Sequence, residues 1–227
     1  MTAFLGKKLM FVVAHPDDES FLAAGAIHQN RLAGGTNYIV CATLGEQGKS
    51  HLKRPISKAA LKKIRKQEVT KAAKFLKVDG LYFLNLNDTK LKEQKKTLSA
   101  KTEKLIKQVK PEYLLSFGPD GISGHMDHII TGKITKLLAK KYHIPFAAFA
   151  ASPTIRNNFD NIKARRKHGK YATHVSHAVP NLKLKVNTQV KQKTLGFHKS
   201  QAGPSTLAGS FSKPVKNSFL NYEYFII

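Results

Sequence analysis

Residues 9–14, Leu-Met-Phe-Val-Val-Ala, are apolar without interruption, and the run stops abruptly at His15-Pro16-Asp17-Asp18-Glu19. A strand wetted on one side alternates apolar and polar residues. One that is apolar throughout is covered on both faces, the situation of a central strand in a parallel sheet. The run therefore predicts a buried strand over Lys8–Ala14 and layers of helix above and below it. The rest of the chain keeps that rhythm. Helices are predicted over Ser20–Leu32, stopped by Gly34-Gly35, and over Ala59–Lys77, Leu98–Val109 and His125–Lys141. Strands are predicted over Tyr38–Thr43, Leu81–Leu84, Tyr113–Phe117 and Phe146–Ala150. This order specifies an α/β fold: a Rossmann-like open, mostly parallel sheet flanked by helices on both faces. A single domain is expected over residues 1–227, with its Rossmann-like core in about residues 1–150. From about residue 151 an irregular region follows, with edge strands expected at Thr173–Val175 and Tyr222–Ile226.

Ligands of such sheets sit at the carboxyl ends of the strands, and that is where the chemistry-bearing residues fall. His15, Asp17, Asp18 and Glu19 place one imidazole and three carboxylates within five positions, in a chain with 14 acidic and 39 basic residues. Neighbouring carboxylates repel unless something positive holds them, and a divalent cation does so while supporting chemistry. Glu19 has a simpler reading, an acid that complements the dipole of the helix it starts. A second cluster, His125-Met126-Asp127-His128, opens a predicted helix, and its two histidines share one face. A catalytic zinc site takes three nitrogen or oxygen ligands and leaves a position for water. His15, Asp18 and His128 fill that set. Asp17 then stands ready as general base, and His125, held by a carboxylate such as Asp127, as stabiliser of an oxyanion. Water attack on an amide or ester carbonyl, with Zn2+ as Lewis acid, is the reaction these groups suit. Arg65 and Glu68 lie on the apolar stripe Leu61, Val69, Ala72, Ala73, Leu76 of the Ala59–Lys77 helix. Either they pair with each other at the edge of that face, or the stripe's polar end lines a cleft.

Composition narrows the partners. The net charge is +25, and six arginines leave lysine to supply nearly all of the positive charge. Such a surface attracts anions, but lysine is a hydrated point charge without the bidentate fork used for phosphate and base recognition. No nucleic-acid motif or basic–aromatic stripe is present, so no specific nucleic acid is expected. The one cysteine, Cys41, sits in an apolar run and excludes both an intrachain disulfide and a cysteine-based zinc site. No segment reaches the ~18 apolar residues of a membrane span, and the first apolar stretch is too short for a signal peptide. A soluble, cytoplasmic protein is expected.

Ala-His-Pro-Asp-Asp-Glu at residues 14–19 after an apolar strand, with His-Met-Asp-His at 125–128, resembles the LmbE/PIG-L family of zinc-dependent N-deacetylases. Thr43-Leu44-Gly45-Glu46-Gln47-Gly48, Arg65 with Glu68, Asn87-Asp88, and Lys193 with His198-Lys199-Ser200-Gln201 extend the likeness over residues 8–201. The resemblance implies zinc on His15, Asp18 and His128, Asp17 as base, and His125 polarising the carbonyl with Asp127 behind it. It implies that Arg65 contacts the sugar or shapes its pocket. The substrate it implies is an acetylated amino sugar or glycoconjugate of the N-acetylglucosamine type, and relatives that often assemble into multimers make a homo-oligomer an expectation. Specificity is expected in loops such as Lys49–Lys58 and Arg156–Lys170. Met126 stands where the family usually has proline, a change that loosens the helix start without touching a ligand. The positive charge is not a family trait, and it suggests an acidic or phosphorylated sugar, or attraction to an anionic polymer. Two other readings remain: a different metal-dependent amidohydrolase on the same site, and a non-enzymatic polyanion-binding protein, which leaves the two clusters unexplained.

Overall fold

A computed structural model describes residues 3–152, 154, 179–201 and 213–227. Seven strands form one sheet in the order β3-β2-β1-β4-β5-β7-β6. They are β1 (Lys8–Val13), β2 (Thr36–Thr43), β3 (Gly80–Leu86), β4 (Tyr113–Phe117), β5 (Phe146–Ala150), β6 (Leu182–Lys185) and β7 (Tyr222–Ile226). The first five are parallel, and β7 runs antiparallel between β5 and β6. β1 is buried from Leu9 to Val13, as its unbroken apolar sequence requires. It lies between β2 on one side and β4 on the other. The strand order reverses at this pair, so a crevice opens outside the carboxyl ends of β1 and β4. The two histidine clusters follow those two strands, and this topology is what brings them together.

The helix expected over Ser20–Leu32 is two helices, α1 (Asp18–Leu22) and α2 (Ala24–Leu32), broken at Ala23 with φ −140°. The break frees the N–H groups of Gly25 and Ala26, and both donate to the buried Glu223 carboxylate at 2.8 Å. An anion at a helix N-terminus is favoured by the unpaired N–H groups and the dipole. Lys191 completes the arrangement with Nζ 3.1 Å from Glu223, both side chains about 1% exposed.

The helices α3 (Lys58–Phe75), α4 (Lys95–Val109) and α5 (Met126–Lys141) lie close to the expected positions. Two further helices, α6 (Thr188–Leu195) and α7 (Lys213–Asn221), and strand β6 went unread in the sequence. β6 reads Leu-Lys-Leu-Lys at the sheet edge, with only Leu184 buried, so it lacks an apolar run. Tyr222–Ile226 is a strand as expected, but it lies inside the sheet rather than at the edge, because β6 covers its outer side. The strand expected at Thr173–Val175 and the Arg156–Lys170 segment lie outside the described residues. No helix among the described residues is long and apolar enough to cross a membrane.

Candidate metal centre

The loops after four parallel strands supply the site. His15, Asp17 and Asp18 follow β1, Gly45–Gln47 follow β2, Asp88 follows β3, and residues 121–128 follow β4. His15 Nδ1 lies 3.1 Å from His128 Nε2, and Asp18 Oδ1 lies 3.3 Å from the same His128 atom. Asp18 Oδ2 is 3.8 Å from His15 Nδ1 and accepts the N–H groups of Ala14 and His15. His125 completes the group, with one ring nitrogen of each of His15, His125 and His128 lying within 4.8 Å of the others.

The outer partners of each ring decide which nitrogen carries a lone pair. Gly121 O accepts from His128 Nδ1 at 3.0 Å, which leaves Nε2 bare and turned inward. His15 Nε2 faces Asp88 Oδ1 at 3.1 Å and Asp127 Oδ2 at 3.4 Å, so one proton sits there and Nδ1 is the nitrogen turned toward His128. Two ring nitrogens and a carboxylate thus converge on one point, an arrangement that requires a proton or a metal cation between them. Without a metal the proton stays. Burial opposes charge on His15, but Asp127 and Asp88, with Asp18, outweigh it and push the pKa up to about 10. Burial likewise favours neutral Asp18, but His128 and His15 hold its pKa far below the usual carboxylate range. His15, Asp88 and Asp127 also lie close enough to ligate a cation. Those two carboxylates are already engaged: Asp127 accepts from the Thr89 and Leu91 N–H groups and Asp88 from the Gln47 N–H. They orient His15, and the donors left turned toward one another are His15 Nδ1, His128 Nε2 and the Asp18 carboxylate.

Asp127 therefore stands behind His15 rather than His125. Its link to His125 runs through the main chain, where the Asp127 N–H donates to His125 Nδ1 at 3.2 Å and caps α5. That bond leaves Nε2 as the protonated nitrogen of a neutral ring. Burial, together with His15 and His128, keeps the His125 pKa below its ordinary value.

Asp17 has φ 127°, a strained conformation for a residue with a side chain. It is held from three sides. Glu19 Oε2 accepts its N–H at 3.0 Å, the Ser20 and Phe21 N–H groups bind its carbonyl at 2.9 Å, and Arg65 Nη2 lies 3.0 Å from its carboxylate. Burial raises the Asp17 pKa to about 6 despite the opposing Arg65 charge. Arg65 itself is 3% exposed and donates to the carbonyls of Gly45 and Pro16 at 2.7 and 2.6 Å. These hydrogen bonds go to protein groups, and with the Asp17 contact they fix the position of that carboxylate. Arg65 does not pair with Glu68. Glu68 accepts from the N–H and Oγ of Ser200 at 2.8 and 2.6 Å. Glu19, read as a helix-start acid, is fully buried and also accepts from His198 Nε2 at 2.7 Å. Asp88, His198 and Ser200, which belong to the motifs of the resemblance but carried no role in the sequence, are supporting residues of the cluster.

Several known proteins are similar to this chain in sequence or in fold. A stretch of 138 residues is 36% identical to the probable N-acetyl-alpha-D-glucosaminyl L-malate deacetylase 2 of Bacillus subtilis, covering 59% of this chain and 62% of that protein. Another of 149 residues is 29% identical to the 1D-myo-inositol 2-acetamido-2-deoxy-alpha-D-glucopyranoside deacetylase of Mycobacterium sp. (strain KMS), covering 56% and 48%. The chain thus spans less than two thirds of the length of these curated relatives. Its fold is similar to the N,N'-diacetylchitobiose deacetylase of Pyrococcus horikoshii, with TM-score 0.70 and 22% identity over 96% of this chain and 82% of that one. It is also similar to the 4-carboxy-2-hydroxymuconate hydratase of Pseudomonas putida, with TM-score 0.64 and 21% identity over 93% and 82%. One fold therefore hosts two chemistries, and the reaction has to be argued from the site. The sequence model of the PIG-L family, described as GlcNAc-PI de-N-acetylase, matches residues 10–139, a stretch that holds the whole convergent His–Asp cluster, and the chain belongs to that family.

Proposed function

We propose that the chain is a zinc-dependent N-deacetylase, folded as a single domain, that hydrolyses the acetamide of an N-acetylglucosamine-type sugar or glycoconjugate. The observation that carries this reading is the convergence of His15 Nδ1, His128 Nε2 and ionised Asp18 beside the buried carboxylate of Asp17. His15, Asp18 and His128 would hold the zinc, which when bound supplies a Lewis acid that makes water acidic near neutral pH. Asp17 takes a proton from the attacking water, and its pKa of about 6 lies near the pH at which a general base is most effective. Arg65 and Glu19 keep its carboxylate and backbone fixed, so the base needs no reorientation during the reaction. Neutral His125, whose Nδ1 accepts the Asp127 N–H, would donate from Nε2–H to the carbonyl oxygen as negative charge develops on it.

The named activities of the relatives support an acetylated amino sugar carrying a second group. The excess of lysine supports an anionic one. The test is a screen of N-acetylated glycosides for released acetate, with and without chelator, beside metal analysis of the purified protein. About one zinc per chain and chelator-sensitive acetate release are expected. Full turnover in a metal-free preparation would overturn the mechanism.

A further inference from the structure

Beside the reaction centre lies a cleft of about 630 Å³, between α3 and the end of α6 with the segment that follows it. Ile64, Gln67, Glu68 and Lys71 form one wall, spaced as one face of a helix. Lys193, Phe197 and Lys199 stand on the other side. None of the cation cluster lines it. Its volume is that of a small-molecule site, and its lining mixes apolar side chains with a few convergent polar groups. The charge is one-sided. Lys71, Lys193 and Lys199 are exposed, and none of them pairs with a carboxylate among the described residues. The one acid in the lining, Glu68, has both oxygens bound by Ser200. Phe197, its ring 5.9 Å from Phe75, offers an apolar floor beside the lysines, and Lys193 Nζ is 6.0 Å from that ring.

We infer that this cleft binds a small organic dianion, a phosphate monoester or a dicarboxylate, whose charge meets Lys71, Lys193 and Lys199 and whose body covers Ile64 and Phe197. Lysines suit such a ligand as mobile point charges. The same two walls hold the reaction centre on their inner sides. One helical turn before Glu68, Arg65 grips Asp17, and one residue before Lys199, His198 grips Glu19. A bound dianion therefore rests on the outer surface of the supports of Asp17, which is where an effector acts.

The test is calorimetric titration of the whole protein at about 0.15 M salt, where diffuse surface attraction is screened within ~8 Å. Phenyl phosphate and benzylmalonate serve as probes, with phenyl β-glucoside as the neutral comparison. Saturable binding of either dianion is expected, unchanged by chelator and roughly tenfold weaker in the double variant Lys71→Gln, Lys193→Gln. Which dianion binds distinguishes phosphate from carboxylate. Absence of saturable binding by both would overturn the proposal, and so would binding abolished by chelator, which would place the anion at the cation cluster. Equal weakening in Lys136→Gln, Lys140→Gln, on the far helix α5, would reduce the effect to bulk charge and overturn it too. None of these outcomes depends on acetate release, so the site stands or falls apart from the deacetylase reading.

Discussion

His15 engages both ring nitrogens: Nε2–H is fixed by Asp88 and Asp127, so Nδ1 is the atom proposed to face the cation. His128 does the reverse, with Nδ1 fixed by Gly121 O. His128→Ala should lose the metal, whereas Asp17→Asn should keep it and lower turnover by about 10²–10⁴-fold. Metal content and acetate release measured side by side would separate the two, and a metal-free Asp17→Asn protein would contradict the assignment. The buried His198–Glu19 pair makes a different prediction. Burial opposes charge on His198, but Glu19 outweighs it and raises the folded pKa above the unfolded value of roughly 6.5. The pair's stabilisation is then complete below that value and fades as pH rises through the folded pKa. The gap in Tm between the natural protein and His198→Asn should therefore be wider at pH 6 than at pH 9. The proposed cation ligands were legible because each motif places its residues within a few positions. Their supports were not, because Arg65 reaches Asp17 across 48 residues and His198 reaches Glu19 across 179.

Helix α5 depends on a close approach that only glycine permits. A Cβ on Gly132 in α5 would stand 2.2 Å from the Phe117 carbonyl oxygen of β4. Phe117 stacks on His128 at 4.1 Å, so Gly132→Ala should push α5 outward, weaken metal retention and destabilise the fold by about 1–3 kcal/mol. Chelator titration and thermal unfolding would register both, and an unchanged metal affinity would argue that the helix position does not govern the site. The start of α5 offers the opposite case. Met126 is its first residue and is 43% exposed, and His125 before it has φ −65° and ψ 124°, the extended backbone that proline requires of its predecessor. Met126→Pro should raise stability by about 0.4–1 kcal/mol with the metal retained. A drop in Tm would show that the helix start needs more than a preset φ. Unbroken apolar runs made β1 and β5 readable, whereas β6 and the break at Ala23 follow from contacts with β7 and Glu223 that no local pattern records.

Across the molecule the two signs of charge are sorted. Asp18, Glu19, Glu68, Asp88, Asp120, Asp127 and Glu223, half of the 14 acidic residues, are buried, while Lys191 is the one lysine among the buried residues described. The outer surface is thus more one-sided than the net charge of +25 conveys. If the substrate is anionic, its KM should rise with salt while that of a neutral acetylated sugar stays flat, and parallel curves for the two would detach the charge from the reaction. Composition revealed the excess of lysine, but only the fold shows that the acids are withdrawn inside. The sheet, finally, has a timetable. β7, made after the other six described strands, sits between β5 and β6, and its Glu223 receives α2, which is made well before it. During synthesis residues 8–150 can therefore pair five parallel strands and gather His15 with His128, while β5 keeps a bare edge and α2 an empty N-terminus. A nascent chain would hold its cation ligands before it could close its sheet, leaving a window for edge-to-edge misassembly that closes only when residues 222–226 emerge.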